Sequence, residues 1–299
     1  MTIAHDVSAP QIDRSADEHT TDLEAAWKRW HISRQRDLAV SHGWLSLTHF
    51  RWLDDSPAAL PGLPGAYSAQ RRDGATVAVA SADVSDGLRL AAGPQAGEAV
   101  HGEITAEVAE AGSLLWLRHE EVLVELVLRG GRYAVRVRDP QGPERAAFKG
   151  IPAFPVSEAW QLPATFTAFD APRAVTVDTA RNDLRQDVTA VGTVSFELEG
   201  QRYSLTATRG PEDRLFVSFR DLTNGTQTAP WRVVATSAPG EDGSLVIDFN
   251  RAVNLPFAFT AFGTCPAPVP GNDLPLAVTA GELAPVRGHR SHRIMNSAR

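Results

Sequence analysis

Two short runs, the apolar 122–128 and the alternating 132–138, are separated only by Arg129-Gly130-Gly131, and a second pair, 193–198 and 201–206, only by Glu199-Gly200. Short β-branched runs joined by a tight glycine-bearing connection are hairpin signals, because glycine reaches the positive φ that such a connection needs. A hairpin commits both runs to antiparallel pairing. Runs at 76–80, 114–117, 214–219, 244–249 and 276–279 read as further strands. One segment reads as a helix. It starts near Thr21, where Thr21 and Glu24 make a capping-box pattern, and carries Leu23, Trp27 and Trp30 at helical spacing. Many strands with one helix give a mainly β fold: an antiparallel barrel-like or two-sheet domain with an N-terminal helix. Closing the sheet would also remove its exposed edges.

Composition limits what such a fold can do. With 299 residues, 43% hydrophobic and 22% charged, the chain can bury a substantial core. Residues 1–20 lack periodicity and read as a disordered arm, 21–282 as a single mainly β domain, and 283–299 as a flexible basic tail. The proline-rich stretch 152–172 could join two halves, but the strand pattern resumes unchanged beyond it. Lys plus Arg is 29 and Asp plus Glu 36, a net charge of −7 that argues against nucleic-acid or anionic-membrane partners. No apolar run approaches the roughly 20 residues that span a bilayer, and the N-terminus lacks the features of a signal peptide, so a cytoplasmic protein is expected. The single cysteine, Cys265, excludes an intrachain disulfide framework and a cysteine-cluster metal site. No phosphate-binding or dinucleotide glycine motif and no Gly-x-Ser-x-Gly elbow occurs. His119-Glu120 starts like a zinc-protease helix, but Leu123 stands where the second histidine belongs, and His289 and His292 in the tail read as solvated. Neither metal nor cofactor is expected.

Two features carry candidate chemistry. On the 132–138 strand, Tyr133, Val135 and Val137 point one way and Arg132, Arg136 and Arg138 the other. Such an arginine face reads first as a solvated surface, and as an anion-binding wall only if it lines a barrel or cleft. The second feature is the polar stretch 219–282, which holds Asp221, Arg232, Asp248, Asn250, Arg251, Asn254, Phe257 and Glu282. One reading is structural, with Asp and Asn tying down irregular backbone. The other is chemical. Glu282, Asp248 and Asp221 are the candidate acid/base groups, because a buried carboxylate gains a raised pKa. Arg232, Arg251 and Arg136 would stabilise developing negative charge, with Asn250, Asn254 and Phe257 completing a substrate pocket. The functional expectation is a cofactor-independent enzyme of small-molecule, perhaps specialised, metabolism, performing an acid/base-assisted cyclisation, isomerisation or hydrolysis. The alternatives are a non-catalytic small-molecule binding protein, which needs a pocket alone, and a structural module with an exposed apolar patch. The oligomeric state is left open.

These blocks also carry a resemblance. Gly43-Trp44-Leu45-Ser46-Leu47 and Trp52-Leu53; Arg132, Tyr133, Arg136 and Asp139; then Arg145, Phe148, Gly150 and Phe154-Pro155 follow in order along the chain. Residues 221–225, 248–254, 258–260, 264–266 and 280–282 continue the series as D-x-T-x-G, D-F-N-R-A-x-N, A-F-T, T-C-P and A-G-E. From Trp27 to Glu282 the chain resembles a bacterial family catalogued as domain of unknown function 1684. The resemblance implies a mostly β, barrel-like domain and no established reaction. It also marks departures: a family tyrosine is replaced by Ala229, one of two family cysteines by Phe257, and an Asn-Arg pair reads Asn272-Asp273. Ala229 would open space and Phe257 add apolar wall; drift in a packing role is the other reading.

Overall fold

The computed structural model describes residues 14–209 and 214–285. Helix α1 (Arg14–Leu38) leads into eight strands: β1 (Leu47–Trp52), β2 (Ala66–Arg72), β3 (Ala75–Ala82), β4 (Arg89–Leu90), β5 (Gly102–Ala106), β6 (Ser113–His119), β7 (Val122–Arg129) and β8 (Arg132–Arg138). A one-turn helix, α2 (Pro143–Ala147), separates them from β9 (Gln161–Asp178), β10 (Arg185–Leu198), β11 (Gln201–Arg209), β12 (Leu215–Phe219), β13 (Arg232–Ala235), β14 (Ser244–Asp248) and β15 (Val253–Asn254). The strands form three sheets: β1-β8-β7-β6-β4, β2-β3-β5, and β14-β9-β10-β11-β12-β13-β15. All the paired strands run antiparallel. The mainly β, antiparallel expectation holds, in its sheet form. Among the described residues no sheet closes into a barrel, so the barrel-like alternative is corrected.

Both hairpins form where glycine allows them. Gly130 and Gly131 turn β7 into β8 with φ of 57° and 72°; Glu199 and Gly200 turn β10 into β11 with φ of 52° and 74°. Alternation then sorts the side chains. Tyr133, Val135 and Val137 join a core with Tyr67, Ala80, Trp116, Leu117 and Leu126, where the five-stranded sheet covers the three-stranded one. Val194, Leu205, Val217, Val234, Ile247 and Phe249 form the core of the seven-stranded sheet. A third cluster, Leu38, Leu45, Ile151, Ala229, Ala258 and Phe259, with Trp44 and Phe257 packed on it, joins the end of α1 to the C-terminal loops.

Several expectations need correction. The helix begins at Arg14 rather than near Thr21; no glycine or proline interrupts residues 14–21. The arm and tail expected at the termini lie, over residues 1–13 and 286–299, outside the described residues, His289 and His292 included. Residues 276–279 are irregular rather than a strand, and the Val278 carbonyl accepts from the Arg232 side chain instead of a neighbouring strand. The stretch 152–172, read from sequence as no clean break in the chain, is partly strand. Its later part enters β9, where Pro172 falls in a bulge between the Gly192–Ala168 and Ala190–Arg173 pairs, so its missing N–H breaks no ladder bond. Among the described residues no helix is long and apolar enough to cross a membrane.

Candidate functional site

The polar stretch 219–282 folds into a clasp. Asp221 ends up against Arg232, with Nη2 donating to Oδ2 at 2.7 Å and neither side chain exposed. The other Asp221 oxygen accepts from the Thr223 amide and hydroxyl. Arg232 also donates to the carbonyls of Val278, Ala280 and Glu282, holding the irregular segment in place. Glu282 lies next to this pair. Its Oε2 accepts from the Asn254 amide at 2.6 Å, and its Oε1 from Arg34 Nε of α1 at 3.1 Å. Burial raises the Glu282 pKa, against the opposing pull of Arg34. Asn254 donates to the Leu283 carbonyl and accepts Arg34 Nη2 on its own.

A neighbouring knot holds Asp248, Asn250 and Arg251. Asp248 Oδ1 accepts from the Asn250 amide and side chain, capping the short turn that follows β14. Asn250 pairs in both directions with the Ser157 backbone, and its carbonyl accepts from Trp27 Nε1 of α1 at 2.7 Å. Arg251 Nε sits 3.5 Å from Asp248 Oδ2, with its guanidinium over Trp30. Seven of the nine predicted residues thus come together in one region, with each carboxylate already engaged by arginine or backbone.

The other two, Arg136 and Phe257, belong to a different centre. The arginine face of β8 is not a solvated surface. Arg136 is 1% and Arg138 7% exposed, and only Arg132 is open to water. The side chain that makes this tolerable is Glu125, opposite Arg136 in register on β7. Arg138 takes Glu125 Oε2 with Nε and Nη2, at 3.0 and 2.7 Å, and gives Nη1 to the His42 and Gly43 carbonyls. Arg136 is served less fully. Its Nη2 donates to Thr264 Oγ1 at 2.7 Å, Nη1 stands 3.7 Å from Glu125 Oε1, and neither Nε nor Nη1 has a hydrogen-bond partner among the described residues. Burial pushes its pKa down to about 10, which still leaves it a cation at neutral pH.

Aromatic rings surround this cation. The Arg136 guanidinium carbon lies 5.3 Å from the Trp44 ring and 6.0 Å from Phe50, its cross-strand neighbour on β1. Cys265, next to Thr264, takes a hydrogen bond from the Phe257 amide, and burial pushes its thiol up to about 11, so it is a protonated wall rather than a nucleophile. Phe257 stacks on Trp231 at 4.0 Å. The β9–β10 turn closes the far side, with Asp183 accepting Trp52 Nε1 at 2.7 Å and the Ala180 amide donating to the Cys265 carbonyl.

Sequence reasoning missed Glu125, Trp44, Phe50 and Thr264 as members of a site. Glu125 gave a signal, being the lone charge inside the apolar run 122–128. Among the described residues no group of three His, Cys, Asp or Glu side chains is placed to hold a metal.

A family model described as "Protein of unknown function (DUF1684)" matches residues 146–283. An uncharacterized protein of Haloarcula marismortui, solved in solution by NMR, is 32% identical over 50% of this chain and 85% of its own, with a TM-score of 0.41. No curated protein matches. The matched span holds the clasp, Phe257, Thr264 and Cys265; Trp44, Phe50, Glu125 and Arg136 precede it.

Proposed function

The chain belongs to the DUF1684 family of proteins of unknown function, and we propose that it binds a small anionic molecule at Arg136. One observation carries this reading: Arg136 is a buried cation with uncommitted donors, walled by Trp44 and Phe50. Arg232 also leaves Nε without a partner, but its charge is matched by Asp221. Among the described residues the carboxylate nearest Arg136, Glu125, is held by Arg138, so a ligand anion would supply counter-charge there. The net charge of −7 disfavours nucleic acid or an anionic lipid surface as the source of that anion. A cytoplasmic location is part of the proposal and suits the free Cys265 thiol.

The test is thermal-shift and calorimetric screening of the full chain against small carboxylates and phosphates. A binding anion raises the melting temperature in proportion to the logarithm of its concentration over Kd. Arg136→Met should abolish that shift. An equal shift in the variant would move the site elsewhere, and silence across the panel would refute anion binding.

A second reading rests on Glu282. A buried carboxyl with a raised pKa can deliver or take a proton, which keeps alive a cofactor-independent enzyme carrying out a cyclisation, isomerisation or hydrolysis. Turnover of a bound small molecule that persists in Glu282→Gln would end it.

A further inference from the structure

We infer that α1 is an acid-released cover over Glu282, with the neutral ring of His31 as its catch; nothing in this rests on what binds at Arg136. The helix is seated by specific bonds. Trp27 Nε1 donates to the Asn250 carbonyl at 2.7 Å, Arg34 reaches Glu282 Oε1 and the Asn254 carbonyl, and Gln35 Oε1 accepts from the Ile151 amide at 3.1 Å. Their helical spacing puts these residues on one face with His31, which is 8% exposed. Glu282 is buried, and its Oε1 meets Arg34. Lifting α1 away would bare that carboxyl.

Hydrogen bonding fixes the protonation of His31. The Ile151 amide can only donate, so the Gln35 atom it meets is the carbonyl oxygen, and the atom turned to His31 is the amide nitrogen. Gln35 Nε2 therefore donates to His31 Nδ1, 3.3 Å away. Nδ1 carries a lone pair, and the ring is neutral with its proton on Nε2. A second proton, on Nδ1, would face the two hydrogens of the Gln35 amide. Turning that amide over would aim the same hydrogens at the Ile151 N–H. In the buried seat one of these two bonds is lost without replacement from solvent. In a released helix Gln35 is free of Ile151 and can present its oxygen to the imidazolium.

The surrounding charges favour release in the same direction. Burial, and then the Arg34 cation one turn on, hold the His31 pKa below its ordinary value. Lys28 is paired with Glu24 at 2.7 Å, Arg251 lies over Trp30 and 3.5 Å from Asp248, and Lys149, beside Gly150, is exposed. Trp27 stacks on the ring at 4.5 Å and favours a cation, but it rides on the same helix and keeps that contact whether α1 is seated or not. A folded pKa below the unfolded value means that the stability His31 confers is full above about pH 6.5 and is lost as pH falls through the folded pKa. Glu282, whose pKa burial raises, contributes with the opposite sign.

The experiment is hydrogen–deuterium exchange of the full chain and of His31→Gln at about pH 7.5 and about pH 5.5, each corrected for the intrinsic rate, with the β7–β8 hairpin as internal reference. Glutamine at 31 keeps an acceptor for Gln35 and cannot charge. Protection of residues 27–38 is expected to fall about five- to tenfold toward acid in the native chain, and to stay level in His31→Gln. Ring-nitrogen NMR of the native chain, with His31 assigned through bond, should find the neutral-pH proton on Nε2 and a titration below that of a free histidine. A proton on Nδ1 at neutral pH, or an ordinary titration, would overturn the inference whether or not the variant folds. So would native protection that does not change with pH, and an equal loss in His31→Gln would assign the release to groups other than His31.

Discussion

Arg232 and Asp221 meet at 2.7 Å with neither side chain exposed to solvent. A pair so placed is committed to holding the structure, because Arg232 also gathers the carbonyls of Val278, Ala280 and Glu282. Asp221→Asn leaves the guanidinium buried without its counter-charge. The expected loss is about 3–5 kcal/mol of folding stability, read from urea denaturation. A loss below about 1 kcal/mol would show that the pair does not hold the segment.

Arg136 and Arg138 are two residues apart on one strand, yet their replacements should differ. Arg138→Met strands Glu125 in the interior and frees two backbone carbonyls, for a loss of roughly 3–5 kcal/mol. Arg136→Met removes a cation that lacks full partners and puts an apolar chain among aromatic rings, for a loss within about 1 kcal/mol. Denaturation midpoints of the two variants decide the matter. The reverse order would mean that Glu125 is held chiefly by Arg136.

Glu282 should leave a mark on the pH dependence of stability. Burial raises its folded pKa above that of the unfolded chain, so the folded state holds the proton more tightly. Its contribution is fully present below the unfolded pKa and is lost as pH rises through the folded one. The stability of the native chain minus that of Glu282→Gln should therefore fall as pH climbs from about 4.5 toward neutrality. Paired denaturation series across that window measure it. A difference that grows with pH would mean that the ion pair with Arg34 outweighs burial.

The elements of this fold were more legible than their covering. Period-two alternation separated Tyr133, Val135 and Val137 from Arg132, Arg136 and Arg138, because neighbouring strand residues must face opposite sides. It could not say that the arginine face is covered as well; that depends on Trp44, Thr264 and the β9–β10 turn, which arrive from distant parts of the chain. The 219–282 polar stretch stood out by composition, but its meaning lies in partners such as Arg34, 248 residues from Glu282. No local spacing announces such a pair. Residues 276–279 looked like a strand because they are apolar, but the segment is held piecemeal, the Leu222 amide donating to the Leu276 carbonyl and the Arg232 side chain to that of Val278.

Ala229 and Phe257, the two departures that the resemblance marks, sit in the same apolar cluster, where Phe257 also stacks on Trp231 at 4.0 Å. In one packed volume, the tyrosine and cysteine that the resemblance implies at these positions and the alanine and phenylalanine found there read as compensation rather than an opened pocket. Ala229→Tyr alone should overpack the cluster and cost about 1–3 kcal/mol. Phe257→Cys alone should leave a cavity and cost about 2–5 kcal/mol. Made together, the two should cost less than the sum of the single changes by about 0.5–3 kcal/mol, the coupling of residues that share a packed volume. Urea denaturation of the four proteins under reducing conditions measures that coupling, with the reductant keeping a new thiol beside Cys265 from forming a disulfide. Strict additivity would separate the two sites and return Ala229 to the reading in which it opens space.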